Sequence, residues 1–350
     1  PASSPTRSIR PAPISSPSFS LAKEFARRNR VFYIDHPFSW KDLVMGLKSD
    51  RVKRRLESLL MGRDIYTKPP GLPPGLTVVT PRATLPINFL PDGFLYDGLS
   101  RVNDRIVFNT IRRIIADHDV TDFIYFNAFD PFFCRDFPED IVPLKKVYQS
   151  MDDLSQVDYT AKHGIRLEED IIRKFDVTLT TSRELERLKS RFSSRVYYHP
   201  NAADFSNFAK ALTEPYPLPE ELKAAEGKKI IGYVGNIESR IDYQLLENVI
   251  NSHPDKVLVM IGPVTSDEHK AIGLMEKSNV IMVGPRNINA LPRYLRYIDC
   301  ALIPFKKNTL TKSIYPLKIN EYLAAGRPVV ATDFSEDING FRSIIDIASD

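Results

Sequence analysis

The sequence predicts an α/β protein built from two Rossmann-like, doubly wound domains that face each other across a cleft. Three observations carry this. Apolar segments of strand character alternate with segments of helical period from Phe19 to Ala331, the signature of parallel βαβ units. The alternation stops once, at Thr213 to Lys229 (TEPYPLPEELKAAEGKK), where three prolines within five positions stiffen the chain, and then restarts. A length of 350 residues, 43% hydrophobic and 26% charged, suffices for two separate cores.

The expected organisation is therefore a Pro-, Ser- and Arg-rich leader at 1–17 with almost nothing to bury, a first domain at 18–212, a linker at 213–229 and a second domain at 230–350. In the first domain we expect a helix near 20–28, a strand at 31–34, helix within 41–61 and helix near 100–117. Strands at 123–126, 147–150, 177–180 and 195–198 follow, with helices near 167–174 and 183–192, the latter capped by Ser182. In the second domain, strands at 230–234, 257–261, 280–283, 300–303 and 328–331 alternate with helices at 242–251, 266–276, 289–297 and 316–325.

Composition excludes several classes. No apolar run approaches the length that crosses a bilayer, and no secretory signal is evident, so a cytoplasmic location is expected. The cysteines Cys134 and Cys300 match no metal or disulfide spacing. No His, Asp or Glu cluster has metal-ligand spacing, and no cofactor or tightly bound metal is expected. Nucleic acid is not expected as a partner, because zinc-finger and RNP-type motifs are absent. The net charge of +4 hides an asymmetry: residues 1 to 100 carry 15 Lys or Arg against 8 Asp or Glu. Within them, residues 41–63 (KDLVMGLKSDRVKRRLESLLMGR) interleave leucines and valines with cations. That pattern suits either a core-facing helix with a solvated basic side or a peripheral contact with an anionic membrane.

Open parallel sheets bind ligands at the carboxyl ends of their strands. After the strand at 230–234 come Gly235, Asn236 and, four residues on, Arg240, a glycine for close approach and a cation for phosphate. Gly262-Pro263 and Gly284-Pro285-Arg286 follow two further strands. The segment Ser313 to Thr332 (SIYPLKINEYLAAGRPVVAT) is the most informative. Pro316 suits a first helical turn, Lys318 and Glu321 share one helix face, and Gly326 stops the helix before a buried strand. A cation there can neutralise a diphosphate, and a carboxylate one turn on can accept both hydroxyls of a ribose.

The pattern P-L-K-x-x-E-Y-L-A-A-G-x-P-V-V-A-T resembles the donor-site motif of GT-B glycosyltransferases, especially family-4-like bacterial enzymes of surface polysaccharide synthesis. The pieces YVGNI at 233–237 and LPRYLRYIDCALIPF at 291–305 extend the resemblance over residues 230–332. It implies a nucleotide-sugar donor, a UDP-sugar in this reading, and transfer to a glycan or lipid-linked acceptor bound by the first domain. It further implies that Glu321 holds the ribose, that Lys318 and Arg240 face the diphosphate, and that Gly284, Pro285 and Arg286 border the base, with Tyr315 and Leu317 in the same site. A closing helix beyond the strand at 328–331 is also implied. Two departures stand out. Ser313 occupies the place of the glutamate that retaining members set eight residues before Glu321, and Ser15-Ser16-Pro17-Ser18 replaces the first glycine-rich turn. Both depart from the retaining pattern, and a pairing of Lys318 with a carboxylate of the first domain is similar to the inverting xanthan-type glucuronosyltransferases, so the reading leans toward inversion.

An inverting enzyme needs a general base. Strand-end carboxylates suit this: Asp152 and Asp153 first, Asp130 second, Asp35 with His36 third, while one of the adjacent pair Asp152 and Asp153 alternatively caps a helix. His199 reads as structural. The alternatives to a transferase are a nucleotide-sugar epimerase of the same fold and a catalytically silent nucleotide- or glycan-binding scaffold.

Overall fold

The computed structural model describes residues 17–47, 50–53, 55–156 and 158–348. Apart from Pro17, the leader lies outside the described residues, as do Ser15 and Ser16 of the expected first turn. Pro17 and Ser18 begin a helix, Pro17–Phe25.

The chain forms two compact units, one running to Thr180 and including Glu186–Tyr197, the other made of Thr181–Leu185 and Tyr198 onward. The boundary thus falls earlier than the Pro-rich segment at 213–229. The reason is packing: Phe208, Ala211, Leu222 and Ala225 are all buried in the core of the second unit. Tyr297 Oη donates to the Tyr216 carbonyl, Arg296 to that of Ala211 (3.1 Å), and Asn207 Nδ2 to that of Ile288 (3.1 Å). The prolines shape a strap laid on the second unit, not a free spacer.

In the first unit, β1 (Val31–Ile34), β2 (Tyr66–Thr67) and β3 (Leu76–Val79) form a sheet of order β1-β3-β2. β1 and β3 pair in parallel, β2 and β3 antiparallel. A second sheet has the order β4-β5-β6-β7, with β4 (Ile124–Ala128), β5 (Lys145–Ser150) and β6 (Val177–Thr180) parallel, and β7 (Val196–Tyr198) at its edge. β3 escapes the sequence reading, although its wholly buried LTVV between Pro/Gly-rich flanks is the kind of short apolar run that marks an interior strand. The expected helix within 41–61 is broken into Trp40–Met45, Asp50–Lys53 and Leu56–Met61. Gly46 closes the first piece with its N–H on the Asp42 carbonyl, and left-handed Gly62 (φ 65°) closes the last. The long helix Phe94–Asp117 precedes β4, and Asp158–Lys174 precedes β6. Beneath the end of β5, the buried Glu168 carboxylate accepts from Ser150 Oγ (2.6 Å), Tyr148 Oη (3.0 Å) and Lys189 Nζ (2.6 Å). Every oxygen of this buried charge is satisfied, as a buried charge requires.

The second unit holds β8 (Ile230–Val234), β9 (Val257–Ile261), β10 (Val280–Met282), β11 (Cys300–Ile303), β12 (Val329–Thr332) and β13 (Asp346–Ala348). Their order is β10-β9-β8-β11-β12-β13 and every pair is parallel. The chain steps outward from β8 on one side and restarts beyond it at β11, so the strand order reverses between β8 and β11. In doubly wound sheets the ligand crevice opens there, beyond the strand ends. The segment expected as one helix at 266–276 is instead two short turns, Glu268–Ile272 and Leu274–Glu276, split by left-handed Gly273 (φ 56°). The helix Leu317–Ala324 stops at Ala325 and left-handed Gly326 (φ 65°), as its sequence predicts.

Candidate functional site

The turn after β8 is fixed by backbone hydrogen bonds and close backbone packing. Gly235 N–H donates to the Ile261 carbonyl (2.8 Å) and Ile237 N–H to that of Pro263 (2.9 Å), tying the turn to the end of β9. Asp242 N–H donates to the Pro304 carbonyl (2.8 Å) and Lys306 N–H to that of Arg240 (2.9 Å), tying it to the end of β11. A Cβ on Gly262 would stand 2.0 Å from the Gly235 carbonyl oxygen, and Gly262 sits at φ 152°, so only glycine fits. Tyr322 Oη accepts from Val234 N–H (2.8 Å), which fixes the helix Leu317–Ala324 against the end of β8.

That docking lays Lys318 over the turn. A Cβ on Gly235 would meet Lys318 Cε at 2.4 Å and Nζ at 2.7 Å, so the absence of a side chain at Gly235 makes room for the lysine. The ammonium lies 5.5 Å from the Tyr233 ring centre and 5.4 Å from that of Phe305. Arg240 lies against the same Phe305 ring (6.0 Å), and its Nε donates to Glu238 (2.7 Å). Among the described residues, neither Lys318 Nζ nor the Glu321 carboxylate has a hydrogen-bond or ion-pair partner. Burial leaves its mark on both. It pulls the Lys318 pKa below the ordinary lysine value against the opposing pull of Glu321, with Arg240 pushing in the same direction. It raises Glu321 from 4.5 to about 7 despite the Lys318 charge. Two recessed charges one turn apart, each without a hydrogen-bond partner, can take partners from a ligand.

The structure therefore brings Gly235, Arg240, Lys318 and Glu321 together, with Asn236 in the turn, its carbonyl accepting from Tyr233 Oη (2.8 Å). Gly284 (φ 77°) ends the neighbouring strand pair, its carbonyl accepting from Gly262 N–H (3.1 Å). Arg286, next to Pro285, is engaged inside the unit: Nε donates to Tyr294 Oη (2.8 Å) and Nη2 pairs with Glu221. Tyr315 is buried and shares hydrogen bonds with Asn320 (3.1 Å), while Leu317 opens the helix. Ser313 is buried, its hydroxyl donating to the Leu310 carbonyl (2.9 Å) and its carbonyl accepting from Ser182 Oγ (2.7 Å). Sequence reasoning missed Tyr233, Phe305 and Glu238. The aromatic preceding each strand-end turn was the available signal.

In the first unit, two separately considered candidates become one. His36, two residues past β1, and Asp130, two residues past β4, meet with Nδ1 to Oδ2 at 2.7 Å. Asp130 is fixed on several sides. Its N–H donates to Asn127 Oδ1 (2.9 Å), its carbonyl accepts from Asn127 Nδ2 (2.8 Å), and its other carboxylate oxygen takes the Phe132 N–H (3.3 Å). The same loop holds Phe129 and Cys134 at positive φ, 62° and 58°, conformations that non-glycine residues adopt at a cost. Asp35 pairs with Arg55. Asp153 accepts from Ser155 N–H (3.0 Å) and Oγ (2.7 Å), the capping role considered for it, and Asp152 beside it is exposed. His199 is exposed. No group of three or more His, Cys, Asp or Glu able to hold a metal occurs among the described residues, and no described helix is long and apolar enough to cross a membrane.

Residues 228–346 match the family described as "Glycosyl transferases group 1". Over 152 residues the chain is 27% identical to the putative teichuronic acid biosynthesis glycosyltransferase TuaH of Bacillus subtilis (strain 168), a match covering 43% of this chain and 38% of that protein. Among solved structures, the UDP-forming trehalose-phosphate synthase of Burkholderia xenovorans superposes with a TM-score of 0.60 at 13% identity, over 92% of this chain and 88% of that one. Sucrose-phosphate synthase from Thermosynechococcus elongatus gives 0.57 at 16% identity, over 91% and 75%. A trehalose-6-phosphate protein from E. coli bound with UDP-2-fluoro glucose gives 0.56 at 14% identity, over 98% and 86%. The glycosyltransferase resemblance read from residues 230–332 is thus borne out by the match of residues 228–346 to the group 1 glycosyl transferases, and nine-tenths of the chain shares the two-domain α/β fold of the sugar-phosphate synthases.

Proposed function

We propose that this chain transfers a sugar from a UDP-sugar to a hydroxyl of a glycan or lipid-linked acceptor in polysaccharide biosynthesis, with inversion at the anomeric carbon. The observation that carries the reading is the pair Lys318 and Glu321, recessed and unpaired beside Gly235 at the β8–β11 reversal. Lys318 and Arg240 take the diphosphate, Glu321 accepts both ribose hydroxyls, and the turn at Gly284 to Arg286 borders the base. The UDP-2-fluoro glucose named for the E. coli protein of this fold supports the donor class, and the teichuronic acid pathway named for TuaH supports a polysaccharide product.

Acceptor activation falls to His36. Asp130 accepts from its Nδ1–H, which leaves Nε2 as the proton acceptor. As the acceptor oxygen bonds to the anomeric carbon, its proton passes to the general base and the bond to UDP breaks, with its electron pair leaving on the diphosphate, whose charge Lys318 and Arg240 meet. Asp152 and Asp153 at the neighbouring strand end are the second candidates for the base. Peripheral contact with the inner face of an anionic membrane is assigned to residues 41–63, where Val44, Met45, Leu47 and Met61 are exposed beside Lys41 and Lys53.

UDP release from UDP-sugars, measured with and without glycan acceptors, tests the reading. Acceptor-dependent release that falls at least tenfold in Lys318→Ala is expected. An isomerised donor formed with no acceptor present points to the epimerase instead, and no release with any acceptor points to a silent binder.

A further inference from the structure

The first unit carries a cavity whose lining includes neither the donor-site residues nor the His36–Asp130 pair. It has a volume of about 680 Å³ and runs between the helices Phe94–Asp117 and Asp158–Lys174, floored by the loop at 135–138. Arg101, Arg105, Phe108 and Arg112 come from one stripe of the first helix, at the i, i+4, i+7 spacing that gathers side chains on one face. Most of the cavity's charges are matched internally. Arg112 binds Asp140, Arg166 binds Asp92 and Asp97, and Arg173 binds Glu169. Arg101 and Arg105 have no acidic partner among the described residues.

Deeper in the wall stands Arg135, 8% exposed. Its Nη1 donates to Asp170 (3.3 Å) and its Nη2 to Ser100 Oγ (3.1 Å), but its buried Nε has no hydrogen-bond partner. A buried guanidinium N–H left unsatisfied is unfavourable unless something supplies an acceptor. Three guanidiniums with spare donors around one cavity, flanked by the rings of Phe108 and Phe137, match a ligand that offers planar or tetrahedral oxyanions beside an apolar face.

We propose that this groove is a secondary binding site for an anionic sugar, one bearing a carboxylate or phosphate, held by Arg101, Arg105 and Arg135. The choice of a sugar as the carrier rests on the proposed transferase reading; the anion specificity rests on the arginines alone.

Calorimetric titration of the full chain separates the possibilities. The probes are a glucuronic acid oligosaccharide for the carboxylate, glucose 6-phosphate for the phosphate, and a neutral maltooligosaccharide of equal length as control. One or both anionic probes should bind, and the double variant Arg101→Gln/Arg105→Gln, altered only at exposed positions, should weaken that binding at least tenfold while leaving UDP affinity unchanged. Independently, the Arg135 Nε–H resonance should move on addition of the probe that binds. Equal binding of the neutral sugar, unchanged affinity in the double variant, or a stationary Arg135 signal overturns the proposal. Loss of UDP binding in the wild-type protein, with anionic sugar still bound, overturns the donor-site reading and leaves this one standing.

Discussion

Glu321→Gln should make the nucleotide-free protein more stable at pH 8 while weakening its hold on UDP. Burial raises the Glu321 pKa from 4.5 to about 7, so between those values the folded chain keeps a proton that the unfolded chain has released. Stability therefore falls as the pH rises through that window, at about 1.4 kcal/mol per pH unit for one proton. Past pH 7 the full penalty for an ionised Glu321 is about 3 kcal/mol, and the residual solvent contact of the side chain discounts it to about 1–3 kcal/mol. Glutamine carries no charge to desolvate and escapes the penalty. Urea unfolding of both proteins at pH 4.5 and pH 8 should show no difference at the lower pH and a gain of about 1–3 kcal/mol for the variant at the higher. On the proposed reading the same substitution also removes the charged acceptor offered to the ribose, which should weaken UDP binding at pH 8 by about 10- to 100-fold. A variant less stable than wild type at pH 8, or one whose difference from wild type is the same at both pH values, would refute the reasoning.

Gly235→Ala places a methyl group 2.4 Å from Lys318 Cε at φ 143°, so it should cost about 1–3 kcal/mol of stability and at least tenfold in UDP affinity, read by thermal unfolding and calorimetry. Asp130→Asn leaves His36 without its orienting carboxylate; the transfer rate should fall about 100-fold or more while UDP affinity holds, and an equal loss in Asp152→Ala instead would move the base to that strand end. Glu168→Gln strips the buried Lys189 of its counter-charge, which should destabilise the protein by about 3–5 kcal/mol in urea unfolding. The partition coefficient onto phosphatidylglycerol vesicles, read by sedimentation, should drop about 30-fold or more for Lys41→Glu/Lys53→Glu, at about 1 kcal/mol for each of the two basic residues lost, and unchanged pelleting would remove residues 41–63 from the membrane.

What could be read in the sequence was local. Lys318 and Glu321 were recognisable because three residues on a helix guarantee a shared face, and the stop at Gly326 because a left-handed cap favours glycine. Gly235 was visible as a strand-end glycine, but the need for it appears only when Lys318 lies across it. The partnership of His36 with Asp130 spans 94 positions and follows from two strand ends converging, which no spacing encodes. The prolines at 213–229 looked like a linker because composition records stiffness and not what the stiff segment lies on; Leu222 and Ala225 decide that by entering the second core. The short strand Leu76–Val79 and the split at Gly273 were lost for the opposite reason, since single glycines and four-residue apolar runs carry too little periodicity to outweigh their flanks.

The proposed function places a nucleoside diphosphate where β8 and β11 part, held by Lys318 and Glu321 over Gly235. Titration of UDP into wild type, Lys318→Ala and Asp130→Asn tests it most directly. Wild type and Asp130→Asn should bind UDP alike while Lys318→Ala loses at least tenfold in affinity. Wild-type affinity in Lys318→Ala would contradict it.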